Sequence, residues 1–223
     1  KEWNNVPTDT AFIAFNWKEA IGHSVIAKYS YEVLPKKIDP FASRFVFFLF
    51  GNVAGNLSNV SARIDVLKHS GGFSRPLKQA LDFDVWADIA RTHTMMLSDT
   101  ETAFVRIHKG TATNYMNTKG QQFAEHLVVY DKLIQDLLPY VDREQLVRYF
   151  NIEIASFHLR EAIKFALHGR FQKMDSFMKT ASSITWPKWK RLILCLPYAL
   201  SEQLRYRVLI RMAGNILKQH KII

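Results

Sequence analysis

GGFSRPLKQALDFDVWADIARTHTMMLSDTETAFVRIH, residues 71–108, sets the reading of the chain. It opens on a turn, Gly71-Gly72-Phe73. The run Asp82-Phe83-Asp84-Val85-Trp86 then places two carboxylates near the start of a helix expected over Ala80–Arg91. Acids are favoured there because the helix dipole presents its positive end. Met95–Leu97 and Ala103–Ile107 read as short strands, and Arg106-Ile107-His108 closes the stretch. A turn, an acid-led helix, strands and a basic pair, in that order, define a mixed α/β region.

Working toward the N terminus, Thr10–Trp17 is apolar and aromatic and predicts a strand. Gly22-His23 turns the chain, and Ser24–Tyr31 alternates weakly enough for the return strand of a hairpin. Leu34–Pro40 is a loop bracketed by prolines. Phe41–Phe50 holds five phenylalanines and is either a helix or a buried strand, because periodicity does not separate the two at this length. It is expected in the core, since the chain has no apolar run of the roughly 18 residues that a membrane span needs. Gly51–Asn59 is a loop leading into a short strand, Val60–Arg63. Ile64–Ser70 is a brief helix stopped by the two glycines.

Toward the C terminus the chain becomes helical. Gly120–Leu138 is one amphipathic helix, ended by Pro139. Asp142 with Gln145 forms a capping pair, after which a helix runs to His168, where Gly169 supplies a left-handed stop. Leu146, Phe150, Ile154 and Phe157 share one face of it. Further helices are expected over Phe171–Thr180, Pro187–Leu196 and Ser201–Lys218, with Pro197 breaking or kinking the chain. The organisation is therefore an α/β region over 1–116 and an α-helical region over 117–223.

The 223 residues suffice for one or two domains with a real core. One cysteine, Cys195, rules out an internal disulfide and a multi-cysteine metal site. The chain contains no phosphate-loop motif, no Gly-x-Ser-x-Gly and no zinc-type histidine spacing. Net charge is +10, and its placement is uneven. Residues 1–159 carry 17 Lys/Arg and 17 Asp/Glu, whereas residues 160–223 carry 13 and 3. The whole excess thus lies in the last part of the chain. There Trp186, Lys188, Trp189, Lys190 and Arg191 precede an apolar run. That pattern suits a helix lying in a membrane interface, a partner surface, or a helix pair packed on the first region. Nucleic acid is not expected, because no recognised binding module is present.

The stretch 71–108, with what precedes it, resembles the acceptor half of inverting family 2 glycosyltransferases, which have the GT-A fold. The resemblance covers about residues 10–110. It rests on Gly71-Gly72-Phe73, then Asp82-Phe83-Asp84-Val85-Trp86 against the family's Glu-Asp-x-Asp-Leu-Trp, then Arg106-x-His108. Leu81 stands where the family has Glu, and Asp88 where it usually has Arg. The resemblance implies a partial GT-A domain in which Asp82 is the general base. Arg106 and His108 would lie at the donor diphosphate or its metal. Asn56, Ser58, Arg63, Asp84 and Trp86 would lie on the acceptor side, with Trp86 either in the core or walling a sugar ring.

Two residues apart on a helix, Asp82 and Asp84 face about 200° away from each other. They are not a paired dyad, and ordinary helix-start chemistry also accounts for them. The family's metal-binding Asp-x-Asp belongs to a nucleotide-binding half ahead of this region. The chain is therefore expected to be a fragment lacking that half, with Mg2+ or Mn2+ held mainly there. The implied activity is transfer of a sugar from a nucleotide sugar to a glycan or lipid-linked acceptor. The implied place is the cytoplasm, with peripheral attachment to the inner face of the cell membrane as a variant. The alternative is a non-catalytic basic helical module that binds a protein partner, a membrane surface or an anionic polymer.

Overall fold

The structure, a computed structural model, describes residues 2–19, 33–73, 76–105 and 121–223. The chain divides into two compact units, Lys1–Ile107 with Leu217–Ile223, and His108–Ile216. The division falls ahead of the 116/117 boundary expected from sequence, and the last residues of the chain join the first unit. The segments Gly22-His23 and Ser24–Tyr31 lie outside the described residues.

In the first unit the described strands are β1 (Thr10–Glu19), β2 (Lys37–Ile38), β3 (Val60–Ala62) and β4 (Thr94–Val105). They form one sheet in the order β2-β4-β1-β3. β1 and β4 pair in parallel, while β2 and β3 run antiparallel to their neighbours. Ala11, Phe12, Ile13 and Ala14 are all buried, the unbroken apolar run of a strand covered on both faces.

The sequence suggested two short strands where β4 is continuous. The reason is a bulge. Pairing with β1 jumps from Phe15 opposite Ser98 to Asn16 opposite Glu101, so Asp99 and Thr100 have no place in the ladder. Their polarity looked like a loop. The expected loop at Leu34–Pro40 also contains a strand, since Lys37 and Ile38 pair with Met96 and Met95.

Helix α1 (Pro40–Phe50) settles the open case of the phenylalanine run. Its signals are local. Asp39 caps it by accepting from the Ala42 amide at 2.8 Å, Pro40 occupies its start, and Gly51 ends it at φ 69°. Phe45, Phe47, Phe48 and Phe50 are buried, as in a helix that is apolar all round. Next come α2 (Ile64–His69) and α3 (Leu81–Ala90), both where the sequence placed them.

The second unit holds α4 (Gln121–Leu137), α5 (Arg143–Phe150), α6 (Ser156–Leu167), α7 (Gln172–Lys179) and α8 (Lys188–Leu200). Helix α9 (Glu202–Gln219) follows, its end passing into the first unit. Asp142 caps α5 by accepting from the Glu144 and Gln145 amides. Between α5 and α6 the helix widens into a π-turn, Asn151–Ala155. The buried Asn151 side chain holds that turn. Its Nδ2 donates to the carbonyls of Val147 (2.7 Å) and Ile184 (3.1 Å), and its Oδ1 accepts from the Trp186 amide at 3.2 Å.

Helix α8 runs through Pro197 to Leu200 instead of breaking there. Pro197 lies on the exposed side, so the carbonyl of Ile193 that loses its amide partner faces solvent. Among the described residues no helix is long and apolar enough to cross a membrane.

Candidate functional site

The site in the first unit is built on α3, the helix that leads into β4. Phe83, Val85, Trp86 and Ile89 are buried. Trp86 is the anchor: its ring lies 5.3 Å from Phe12 of β1 and meets Phe73 edge-on at 6.1 Å. The Gly71-Gly72-Phe73 turn is thus packed against the acid-bearing helix. Gly71 (φ 84°) and Gly72 (φ 68°) have open space around them, so their conformation, not crowding, selects glycine. Trp86 is a core residue, and its indole N–H has no hydrogen-bond partner among the described residues.

Asp82 is half-buried and opens α3. Its Oδ1 accepts from the Phe83 amide at 2.8 Å. Burial raises its pKa above the usual carboxylate value, and outweighs the amide bonds that would lower it. A carboxylate so placed is a stronger base than one in water. Asp84 differs: it is buried. Two acids of one motif therefore have two environments, as their angular separation requires.

The other acceptor-side candidates have local structural work. Asn56 caps a short 3-10 turn, accepting from the Ser58 amide at 3.0 Å, and the Ser58 hydroxyl bonds to the same Asn56 oxygen. Arg63 is exposed, donates to the Thr8 carbonyl at 2.6 Å and pairs with Asp65 at 3.5 Å. Arg106 and His108 lie outside the described residues. Sequence reasoning passed over Asn59. It is buried and donates to the carbonyls of Phe15 and Ala54, both at 2.8 Å, tying the loop to β1. An asparagine just ahead of a strand was the available signal.

Among the described residues, no three His, Cys, Asp or Glu side chains are grouped to hold a metal ion. The half-buried Asp82 and the buried Asp84 do not fit a shared Mg2+ or Mn2+.

In the second unit, the five residues nominated as a surface divide. Lys188 and Trp189 are exposed, while Lys190 and Trp186 are half-buried with the ammonium 5.6 Å over the indole. Arg191 is not on the surface: it is 1% exposed. Its guanidinium donates to the carbonyls of Phe177 (3.0 Å) and Thr180 (2.8 Å) at the end of α7, and stacks 4.6 Å over Phe177. A helix C terminus leaves carbonyls unpaired and carries negative partial charge, so it offers acceptors to a buried cation, while the Nε of Arg191 has no partner among the described residues.

The second unit also buries titratable groups that sequence did not reveal. His126 Nδ1 lies 3.2 Å from His158 Nε2. Burial pulls His126 down to about 4, against Glu125, and holds His158 well below the ordinary histidine value, with the neighbouring His126 and Lys173 adding to it. Glu153, in the π-turn, is pushed up to about 7 by burial, with Arg205 pulling the other way.

No protein-family model matches the chain, and neither do any curated protein or solved structure.

Proposed function

We propose that the chain is the acceptor-side portion of an inverting glycosyltransferase, with Asp82 as general base. The observation that carries this reading is the packing of Phe73 on Trp86, at 6.1 Å. It joins the Gly-Gly-Phe turn to the helix whose first turn offers a half-buried carboxylate of raised pKa. In the reaction, Asp82 takes the proton of an acceptor hydroxyl as its oxygen bonds to the anomeric carbon. The bond from that carbon to the diphosphate breaks, the nucleoside diphosphate leaves with the electron pair, and the configuration inverts. One carboxylate on the face opposite the leaving group suffices.

In this reading the donor nucleotide sugar and a Mg2+ or Mn2+ ion bind to a partner half outside these 223 residues, with Arg106 and His108 facing the diphosphate. The acceptor is a glycan or a lipid-linked sugar. The test is transfer by the native gene product, with and without Asp82→Asn, against a panel of nucleotide sugars. The expected result is loss of transfer by about 10²–10⁴-fold with the fold intact. Transfer that persists in Asp82→Asn overturns the reading.

A further inference from the structure

Helix α8 is packed inside out. Its inward face is Arg191, Cys195 and Ala199, spaced four apart and all buried. Its outward face, at spacings of four, three and four, is Trp189, Ile193, Leu196 and Leu200, exposed by 66%, 61%, 39% and 70%. A helix bathed only in water carries the opposite arrangement, with polar residues outward. Arg191 is held inside by the carbonyls at the end of α7.

A second exposed apolar feature lies in the same unit. Leu167 (80%) and Phe171 (65%) flank the turn between α6 and α7. Arg160 of α6 pairs with Glu202, at the junction of α8 and α9, at 2.9 Å. Leu167 is seven residues further along α6, about 10 Å.

Cations border both features: Lys188 and Lys190 at the start of α8, and Arg170 at the turn, beside Lys164, which pairs with Glu161. Residues 160–223 hold 13 Lys/Arg against 3 Asp/Glu, and of these cations Lys173, Arg191 and Arg205 are buried. Large exposed apolar side chains on a positive background complement a surface that is apolar a few ångströms down and negative at its face. We infer that the second unit docks on an anionic lipid bilayer, with the outward face of α8 entering the interface. The aromatic ring of Trp189, with Lys188 and Lys190 beside it, suits headgroup depth. The inference does not depend on the transferase reading.

The test is flotation of the full chain with vesicles of phosphatidylcholine alone, or with about one-third phosphatidylglycerol, a strongly anionic surface. Binding is expected to the anionic vesicles only. It should weaken as salt rises from about 0.1 M to about 1 M, which shortens the screening length from about 10 Å to about 3 Å. Ile193→Glu with Leu200→Glu should lower binding at least about tenfold, with the circular dichroism spectrum unchanged. Neutralising Lys188 and Lys190 should lower it about fivefold per charge. Val128→Glu, at an exposed apolar position on α4, should leave it intact. Absence of binding, or equal and salt-independent binding to neutral vesicles, overturns the proposal. So does sedimentation showing that Ile193→Glu with Leu200→Glu abolishes only a self-association of the chain and leaves vesicle binding as it was.

Discussion

Helices α3 and α8 are built from similar parts and turn opposite faces inward. Each has a tryptophan and buries one charged side chain, Asp84 in α3 and Arg191 in α8. In α3 the tryptophan is inside, wedged between β1 and the glycine turn, and the half-buried Asp82 is left beside it. In α8 the tryptophan is outside and the cation is inside, because the end of α7 offers it two carbonyls. The orientation of an amphipathic helix is therefore decided by which partner meets its charge. Asp82 is met by the Phe83 amide of its own helix, whereas the buried Arg191 is met by the end of another.

The sharpest way to break this comparison is to truncate the two tryptophans. Trp86→Ala should destabilise the chain by about 3–5 kcal/mol through loss of a large buried ring. Trp189→Ala should change stability by no more than about 0.5 kcal/mol. Urea denaturation of both variants checks this, and equal effects would mean that α8 does not face outward. Next in size is Arg191→Ala, expected to cost about 2–4 kcal/mol because the carbonyls of Phe177 and Thr180, the first of them buried, lose a charged donor. Lys188→Ala, at the exposed start of the same helix, should be nearly neutral by the same measurement.

Asp82 sharpens the contrast in the other direction. Its folded pKa is raised, so ionisation costs stability that is fully present below the unfolded carboxylate value and is lost as pH rises through the folded value. Asp82→Asn should then hold or slightly raise the melting temperature at neutral pH, even as it removes the group assigned to catalysis. A clear fall in melting temperature would make Asp82 a structural residue.

The second unit carries a wider pH signature of two opposite signs. His126 and His158 titrate below their unfolded value, so their contribution is full above it and is lost as pH falls below about 6.5, for His126 through about 4. Glu153 titrates near 7, so its contribution is full below the ordinary glutamate value and is lost as pH rises through about 7. Urea midpoints measured across pH should fall on both sides, and Glu153→Gln should flatten the alkaline side only. The smallest expected effect is chemical. Burial pushes the Cys195 thiol up to about 12, so native protein should react with a thiol reagent far more slowly than unfolded protein.

Much of the first unit was legible because its signals are local. The strand at Thr10, the helices at Ile64 and Leu81, and the two glycines each depend on neighbours within a few residues. The Asp39-Pro40 start was just as local and would have settled the phenylalanine run. The sequence could not show that β4 is one strand, since the bulge at Asp99-Thr100 depends on its pairing with β1. Nor could it show that Arg191 goes inside, because the carbonyls that receive it lie on another helix. The site divides likewise. The spacing of Asp82 and Asp84 foretold two environments, but which acid is the buried one depends on packing.

The return of Leu217–Ile223 to the first unit, where His220 lies 4.6 Å from the Phe45 ring, has a consequence for synthesis. The helical unit is an insertion within the sheet unit. On a ribosome it can emerge whole and fold while the sheet unit still lacks its final segment. The sheet unit is then completed only after the helical one, and loss of Leu217–Ile223 would leave Phe45 uncovered on one side.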